Sequence, residues 1–237
     1  MYYDLHIHSA LSPCSDDTMT VNNIVNMAYI KGLDLIAITD HNSMRQLKTL
    51  EIITHGKIVD GKIDYLYGVE IQTKEEIHVL GYFQKDADLD GIQAWLDAHL
   101  IREKNDEEYY GHEYIFNESD EIIDHEEDLL LQSLDLSIYE VIQGIHAFHG
   151  IAVLAHCMAK KFGCYSYFHD IPADLDFDAL EVTKPLEIRD VCDLHPEYEN
   201  VLFLIDSDAH QLEDISEPTH SIEKRDLERL WRQRCKK

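Results

Sequence analysis

Basic residues are scarce in this 237-residue chain. It holds 20 Lys and Arg against 47 Asp and Glu, which gives a formal net charge of −27. A field of that sign repels the backbone of nucleic acid and an anionic membrane surface, so we predict neither long nucleic acid nor a membrane as a partner. An anionic substrate then needs a local positive feature, which bound metal ions would supply.

The chain also lacks paired cysteines and long apolar runs. Its first residues, MYYDLHIHSA, show no basic region followed by an apolar run, and no stretch reaches the length of about 18 apolar residues that crosses a bilayer. The five cysteines are widely spaced and form no Cys-x-x-Cys pair: Cys14, Cys157, Cys164, Cys192 and Cys235. We therefore expect a cytoplasmic protein with reduced thiols.

Short apolar runs alternate with helical stretches along the whole chain. The runs predict seven strands: Tyr2–Ile7, Asp34–Ile38, Tyr65–Val69, Ile77–Tyr82, Ala152–Ala155, Ala179–Val182 and Val201–Ile205. Nearly continuous apolar runs are typical of parallel strands that are covered on both faces. The alternation predicts an α/β fold with right-handed crossovers, either an open sheet or a barrel.

Capping residues predict several of the intervening helices. Thr20 can cap a helix that runs through Lys31 and ends at Gly32, and Ser137 can cap Ile138–Phe148 with Glu140 at the capping-box position. Further helices are predicted at Ser43–Thr54, Leu89–Glu108 and Glu223–Cys235. Residues 105–136 carry a dense acidic run, which we interpret as a solvated excursion rather than a lid, within a single domain spanning residues 1–237.

The opening DLHIHS motif suggests a metal site. Because side chains alternate along a strand, Asp4, His6 and His8 are predicted to share one face, opposite Leu5 and Ile7. Two imidazoles on alternate residues can reach one metal ion. We expect the Asp4 carboxylate to accept an imidazole N–H and orient that ring.

Other candidate ligands stand at the ends of later strands. ITDHN places Asp40 and His41 after the second predicted strand, and GVEIQT places Glu70 after the third. The remaining candidates are His78 in IHVLGY, His156 in VLAHC, and Asp208 and His210 in IDSDAH. Because catalytic groups of α/β folds gather at the carboxyl ends of strands, we interpret this placement as functional.

Imidazole and carboxylate donors without a thiolate cluster favour Zn²⁺, Mn²⁺ or Fe²⁺. The candidate set has nine members: His6, His8, Asp16, His41, Glu70, His78, His156, Asp208 and His210. A single catalytic zinc uses about three protein ligands, so nine candidates predict two or three divalent ions, with Glu70 able to bridge two of them.

The pieces DLHIHSALSPCSDD, ITDHN, GVEIQTKEEIHVLGYF, GIAVLAHC and IDSDAH resemble, in this order, the PHP (polymerase and histidinol phosphatase) family of metal-dependent phosphoesterases. The resemblance implies a distorted seven-stranded (β/α)7 TIM-like barrel with a trinuclear metal cluster. It assigns ligand roles to the same nine residues, although the segment LSPCS shifts the spacing before Asp16.

The chain departs from that family's pattern at two places. Cys157 stands where many relatives have Pro, and we interpret it as a small buried filler. Relatives often carry a phosphate-binding Arg in the following loop. Here the loop reads MAKKFG, so Lys160, Lys161 or Arg189 are the candidates for the substrate phosphate.

The resemblance and the ligand set predict that a metal-bound hydroxide hydrolyses a small phosphate ester, with His41 or His210 assisting proton transfer. Two alternatives remain open: an oligonucleotide exonuclease or nucleotide phosphatase, and a non-catalytic metal-binding barrel module. The sequence indicates neither the substrate nor the oligomeric state.

Overall fold

A computed structural model describes residues 1–56, 59 and 61–234. Seven strands form one curled sheet in the order β1-β2-β3-β4-β7-β8-β9, and two more form a separate hairpin, β5-β6. The bounds of the strands in the large sheet are β1 Tyr3–Ile7, β2 Leu35–Ile38, β3 Asp64–Gln72, β4 His78–Phe83, β7 Ile151–Leu154, β8 Ala179–Glu181 and β9 Leu202–Leu204. All seven predicted strands are therefore confirmed, with shifts at their ends.

The two edges of this sheet meet at one point. An isolated parallel bridge pairs Ile7, at the end of β1, with Ala209, five residues after β9. Among the described residues no ladder pairs β9 with β1, so the α/β sheet curls like a half-barrel, whereas a closed (β/α)7 barrel is not observed.

One strand of the large sheet departs from the parallel arrangement that the implied barrel would have. β4 runs antiparallel to both of its neighbours, β3 and β7. Only five residues, 73–77, connect β3 to β4, and the Thr73 N–H donates to the Ile77 carbonyl across that turn at 2.9 Å. A parallel connection needs about a dozen residues or more, so this turn can only form a hairpin. The hairpin places His78, the first residue of β4, beside the carboxyl ends of the parallel strands.

The helices largely follow their capping signals. Their bounds are α1 Val21–Lys31, α2 Leu47–Thr54, α3 Leu89–His99, α4 Glu107–Tyr110, α5 Ile138–Ala147, α6 Cys164–Phe168, α7 Pro185–Leu194 and α8 Lys224–Arg234. Thr20 caps α1, Gly32 ends it with φ 83°, and Ser137 with Glu140 forms a complete capping box on α5. The predicted Leu89–Glu108 helix is divided into two helices, α3 and α4, because Leu100 adopts an extended conformation at the end of α3. The predicted end of α8, Cys235, lies outside the described residues.

Two hydrophobic cores lie on opposite faces of the sheet. The larger is formed with α1, α2, α3 and α5, and the smaller with α8, whose Leu227, Leu230 and Trp231 are buried. None of the described helices has the length and apolar character that crossing a membrane requires.

The strict alternation predicted for β1 does not hold. Leu5 packs in the smaller core and Ile7 in the larger, although both were assigned to one face. The pairing of β1 with β2 shifts register between Asp4 and Ile7. An irregularity of this kind re-aims side chains, and it lies beside the two candidate ligands His6 and His8.

The acidic segment 105–136 is folded rather than an irregular excursion. It contains α4, whose first two residues fall within the predicted Leu89–Glu108 helix, and the unpredicted hairpin of β5 (Tyr114–Phe116) with β6 (Ile122–His125). Its last part approaches the strand ends, because the Asn42 side chain donates to the carbonyls of Leu130 at 2.8 Å and Gln132 at 2.9 Å.

Candidate metal centre

Glu70, near the carboxyl end of β3, is the centre of a cluster of imidazoles. Its Oε1 lies 2.8 Å from His78 Nδ1, 3.2 Å from His6 Nε2 and 3.3 Å from His156 Nε2. Its Oε2 lies 3.1 Å from His41 Nδ1 and 3.4 Å from His8 Nε2. Five rings from four separate stretches of chain therefore meet one buried carboxylate.

Asp208 and His210, in the loop after β9, complete the arrangement. Asp208 Oδ1 lies 3.3 Å from His6 Nε2 and 3.2 Å from His8 Nε2. The ring of His210 stacks on His8 with centroids 4.4 Å apart. We call these eight residues the ligand cluster: His6, His8, His41, Glu70, His78, His156, Asp208 and His210.

Three overlapping triads in the cluster have donor atoms within 4.8 Å of one another. They are His6–His8–Glu70, His41–Glu70–His78 and His8–His41–His210. His8, His41 and Glu70 each belong to two triads. Residues that belong to two triads are placed where they could contact two neighbouring ions.

The backbone is strained beside the cluster. Asn42, His156 and Asp208 adopt φ values of 49°, 28° and 52°, which non-glycine residues rarely adopt. Such conformations persist only where the surrounding structure enforces them, and they concentrate at functional sites. Each of the three immediately follows or contributes a candidate ligand.

Buried polar groups fix the rings of His6 and His8. His6 Nδ1 donates to Glu181 Oε1 at 2.8 Å, which leaves Nε2 as the lone-pair nitrogen that faces Glu70. Ser12 donates its hydroxyl to Asp40 at 2.8 Å, so its oxygen accepts from His8 Nδ1 at 3.1 Å. Both rings therefore present Nε2 to the same space.

The role predicted for Asp4 is wrong. Its carboxylate accepts from the Ser207 hydroxyl at 2.6 Å and the Ser216 N–H at 2.8 Å, and so holds the loop that carries Asp208. Glu181 orients His6 instead. Glu181 also accepts the His156 N–H at 2.6 Å, so it supports two members of the ligand cluster. Sequence reasoning missed Glu181, although an acidic residue closing a buried strand was a visible signal.

The pKa values of residues in the ligand cluster are shifted in different directions. Burial opposes ionisation of Glu70, yet His78, His6 and His41 hold its pKa well below the ordinary value. Burial likewise opposes protonation of His8, but its hydrogen bonds to Asp208 and Glu70 raise its pKa to about 9. Burial and the neighbouring His8 hold the pKa of His41 well below its usual value.

The donor set fits divalent cations. His41 Nδ1 is buried 3.1 Å from Glu70 Oε2 but makes no hydrogen bond, as expected of a lone pair placed to share a cation. A cavity opens onto the ligand cluster, and no Lys or Arg is among the described residues that line it. Imidazole nitrogens and carboxylate oxygens around a site without side-chain cations suit Zn²⁺, Mn²⁺ or Fe²⁺.

A cavity of about 480 Å³ opens onto the cluster. We call it the cluster cavity, and its lining is Cys14, His41, Glu70, Gln72, Glu76, His78, Leu131, His156, Phe162, Asp208 and His210. Leu131 comes from the acidic segment, so part of that segment forms a wall of the site. A cavity of this size is ordinary for a small-molecule site.

Other predicted site residues are not members of the ligand cluster. Asp16 lies beside it, because the Asp16 N–H donates to the His210 carbonyl at 3.0 Å. Asp16 is exposed and its carboxylate accepts from the N–H and hydroxyl of Thr18, outside the three triads. Lys160 and Lys161 are exposed and do not line the cluster cavity. Arg189 is exposed on α7 beside Asp193. Cys157 is fully buried in the larger core, which confirms it as a filler.

Comparison with known proteins gives a family match. The model of the PHP domain matches residues 4–149. A 5′–3′ exoribonuclease of Haemophilus influenzae is 33% identical over 82 residues, which are 33% of this chain and 27% of that relative.

Solved structures share the fold. A protein of Bifidobacterium adolescentis, provisionally named a metal-dependent phosphoesterase, aligns with TM-score 0.66 and 16% identity over 96% of this chain and 94% of its own. The lesion-specific endonuclease Q of Pyrococcus furiosus aligns with TM-score 0.64 and 20% identity over 89% of this chain and 48% of its own. The chain thus spans about half of the endonuclease.

These relatives overturn the exclusion of long nucleic acid. One is an exoribonuclease, and endonuclease Q has also been solved with a 27-mer duplex substrate whose abasic lesion lies at the active site (TM-score 0.63, 20% identity, 89% of this chain and 49% of that one). The prediction of a small phosphorylated partner without nucleic acid is therefore wrong. Net charge describes the distant field, whereas a metal site acts on phosphate locally.

Proposed function

The chain belongs to the PHP domain family of hydrolases, and we propose that it cleaves phosphate esters of nucleic-acid strands at a centre of two or three divalent ions. The observation that carries this proposal is the convergence of five imidazoles on the two oxygens of Glu70. Without cations, so many imidazole nitrogens around the buried carboxylate of Glu70 would be costly to keep together.

We assign ion binding to the ligand cluster apart from His210, whose one uncommitted ring nitrogen, Nε2, is left for proton transfer. Asp16 is left out because its exposed carboxylate is already hydrogen-bonded to Thr18. Divalent ions held there would polarise a water molecule and neutralise charge on the phosphoryl oxygens. The Zn²⁺, Mn²⁺ and Fe²⁺ ions all match the donor types.

The chain's own residues would orient ligands and move a proton. Glu181 and Ser12 hold His6 and His8 with Nε2 towards the cluster. We assign proton transfer to His210 rather than His41, because His210 is half-buried beside the cavity whereas His41 is enclosed against Glu70. The Asp208 carbonyl accepts from His210 Nδ1 at 2.7 Å, which leaves Nε2 free to take a proton.

The substrate class is supported by the relatives and by the cavity. Two relatives named for nucleic-acid chemistry share the family or the fold. A cavity of about 480 Å³ accommodates about one nucleotide unit, so we propose that a strand enters by an end or by a flipped nucleotide.

A metal-reconstitution assay tests the proposal. Protein stripped of metal is reloaded with Mn²⁺, Zn²⁺ or Fe²⁺ and incubated with end-labelled single-stranded RNA, single-stranded DNA and a generic phosphodiester. We expect cleavage only with metal, its loss in Glu70→Gln, and its retention in Arg189→Ala, whose side chain is exposed, pairs with Asp193 and does not line the cluster cavity.

A metal-loaded protein that leaves every one of these esters intact would contradict the proposal. The non-catalytic alternative would then gain support if metal analysis found about one ion or fewer per chain.

A further inference from the structure

Phe162 occupies an unusual backbone position beside the cluster cavity. Its φ is 59°, a left-handed conformation that is rare for a bulky side chain. The next residue must be glycine, because a Cβ at Gly163 would lie 2.6 Å from the carbonyl oxygen of His156. The loop therefore turns tightly back on a ligand and forces Phe162 to a fixed place.

Two contacts lock Phe162 to the start of β4. Its carbonyl accepts the His78 N–H at 2.8 Å. Its ring stacks on the His78 imidazole, with centroids 4.5 Å apart and planes inclined by 9°. One face of the phenyl ring is thus covered by a candidate ligand, and the ring is held in position before any substrate arrives.

Part of the Phe162 side chain remains exposed. Phe162 is 38% exposed and borders the cluster cavity. Outside the ligand cluster, the described lining residues are Cys14, Gln72, Glu76, Leu131 and Phe162, so Phe162 is the one aromatic ring among them that is not an imidazole. An exposed aromatic ring at a strained position offers no gain in core packing, which favours a role in binding.

We propose that Phe162 binds substrate by stacking its free face on a nucleobase of the strand whose phosphate lies at the ligand cluster. This inference rests on the proposed function and deepens it. Stacking suits this site because every base presents a flat face, so one ring binds many sequences. Lys160 and Lys161 stand just before Phe162 and are exposed, where they would meet the neighbouring phosphates of that strand.

Two oligonucleotides of equal charge test the proposal. One is a single-stranded hexamer of deoxyadenylate, and the other is a hexamer in which abasic spacers replace all bases. Phe162→Leu keeps an apolar side chain but removes the flat ring, whereas Phe162→Tyr keeps the ring. Tyr167→Ala is the matched control, since Tyr167 is an exposed aromatic residue of α6 that does not line the cavity.

Two readouts are needed. Steady-state cleavage is measured with metal-loaded protein, and binding is measured by fluorescence polarisation with the same metal-loaded protein and labelled hexamers whose phosphorothioate linkages resist cleavage. For Phe162→Leu we expect KM and the dissociation constant for the deoxyadenylate hexamer to rise about tenfold, with the abasic hexamer unchanged. Phe162→Tyr and Tyr167→Ala should match the parent protein, and metal content should be equal in all four proteins.

An equal loss on both hexamers, or a loss of bound metal in Phe162→Leu, would overturn the proposal, because Phe162 would then act through His78. Equal binding of the two hexamers by the parent protein would overturn it as well. Failure of the proposed function has a different signature, since the parent protein would cleave none of the RNA, DNA and phosphodiester substrates of the reconstitution assay, whatever the hexamer binding measurements showed.

Discussion

The two ends of the sheet balance their charges in different ways. Where the parallel strands finish, Glu70 and Asp208 are surrounded by imidazoles, with no Lys or Arg among the described residues lining that cavity. Where β2 and β3 begin, a second cavity of about 460 Å³ is bordered by apolar side chains such as Met1, Leu66 and Trp231. Its Asp64 is paired with Lys85 at 2.6 Å.

The difference teaches which end carries the chemistry. Charges at the beginning of the strands are neutralised within the protein, and apolar contacts dominate there. Among the described residues that line the cavity at the carboxyl ends, no Lys or Arg balances the carboxylates, so the site is suited to an external cation. In barrel-like α/β folds the former end stabilises and the latter end reacts. Substitutions at the two ends should therefore separate stability from activity.

The largest expected effect is that of Glu70→Gln. This substitution keeps the shape but removes the charge that meets five imidazoles, so we expect cleavage to fall about 10³-fold or more. Activity is measured with metal in excess, and circular dichroism checks folding. Asp64→Asn is the matched change at the opposite end and should leave activity within about twofold. Equal losses of activity in both variants would contradict the difference between the two ends of the sheet.

The corresponding test at the opposite end is Trp231→Ala. Trp231 is 7% exposed in the smaller core, so its removal should lower the free energy of unfolding by about 3–5 kcal/mol. Urea denaturation measures the change, while kcat per folded molecule should stay the same. Trp231→Phe should cost less, because the indole N–H has no hydrogen-bond partner to lose. A stable but inactive Trp231→Ala protein would contradict the division of roles.

A smaller effect is expected of Glu181→Gln. Glu181 accepts from His6 Nδ1 and from the His156 N–H, so the amide should leave the ligands in place but less well oriented. We expect metal affinity to weaken about 10- to 100-fold, measured by competition with a chelator. Glu187→Gln on α7 should not change metal affinity, because the Glu187 carboxylate contacts Thr183 and Lys184 and no member of the ligand cluster. Unchanged affinity in Glu181→Gln would show that the ligands need no such support.

The smallest effect is expected for a buried acid that lines neither of the two cavities. Glu113, in the acidic segment, is buried, and burial with repulsion from Glu126 raises its pKa to about 8 from 4.5. The unfolded chain releases this proton near pH 4.5, whereas the folded protein keeps it until about pH 8. The folded state thus binds more protons in that window, so Glu113 lowers stability as pH rises through it.

Glu113→Gln should remove this dependence. At pH 9 we expect the variant to be more stable than the parent by about 1–3 kcal/mol, and at pH 4 the two should be nearly equal. Thermal denaturation across pH 4–9 measures the difference. A constant difference at every pH would contradict a titrating Glu113.

Much of this arrangement could be predicted from the sequence, because it depends on local patterns. Apolar runs located all seven strands of the large sheet, and the capping residues located α1 and α5. The direction of β4 was missed because apolar runs do not encode strand direction. The short connection at residues 73–77 does encode it, since five residues permit only a hairpin. Asp4 was misassigned because its partners, Ser207 and Ser216, are distant in the chain.

In the candidate site, too, the positions that depend on local sequence patterns were the ones that could be predicted. Residues next to strand ends, such as His41 and His156, were placed correctly beside Glu70, since parallel strands bring their ends together. Asp16 lies in a loop whose course no pattern fixed, and its carboxylate turned to Thr18. The exclusion of nucleic acid failed because composition averages over the whole surface and does not describe one cavity.

Anomalous X-ray scattering from crystals of the Mn²⁺-loaded protein tests the central claim most directly. The account predicts two or three peaks among His6, His8, His41, Glu70 and Asp208, each within coordination distance of imidazole nitrogens. Crystals without a peak there, or with manganese bound only elsewhere on the protein, would contradict it.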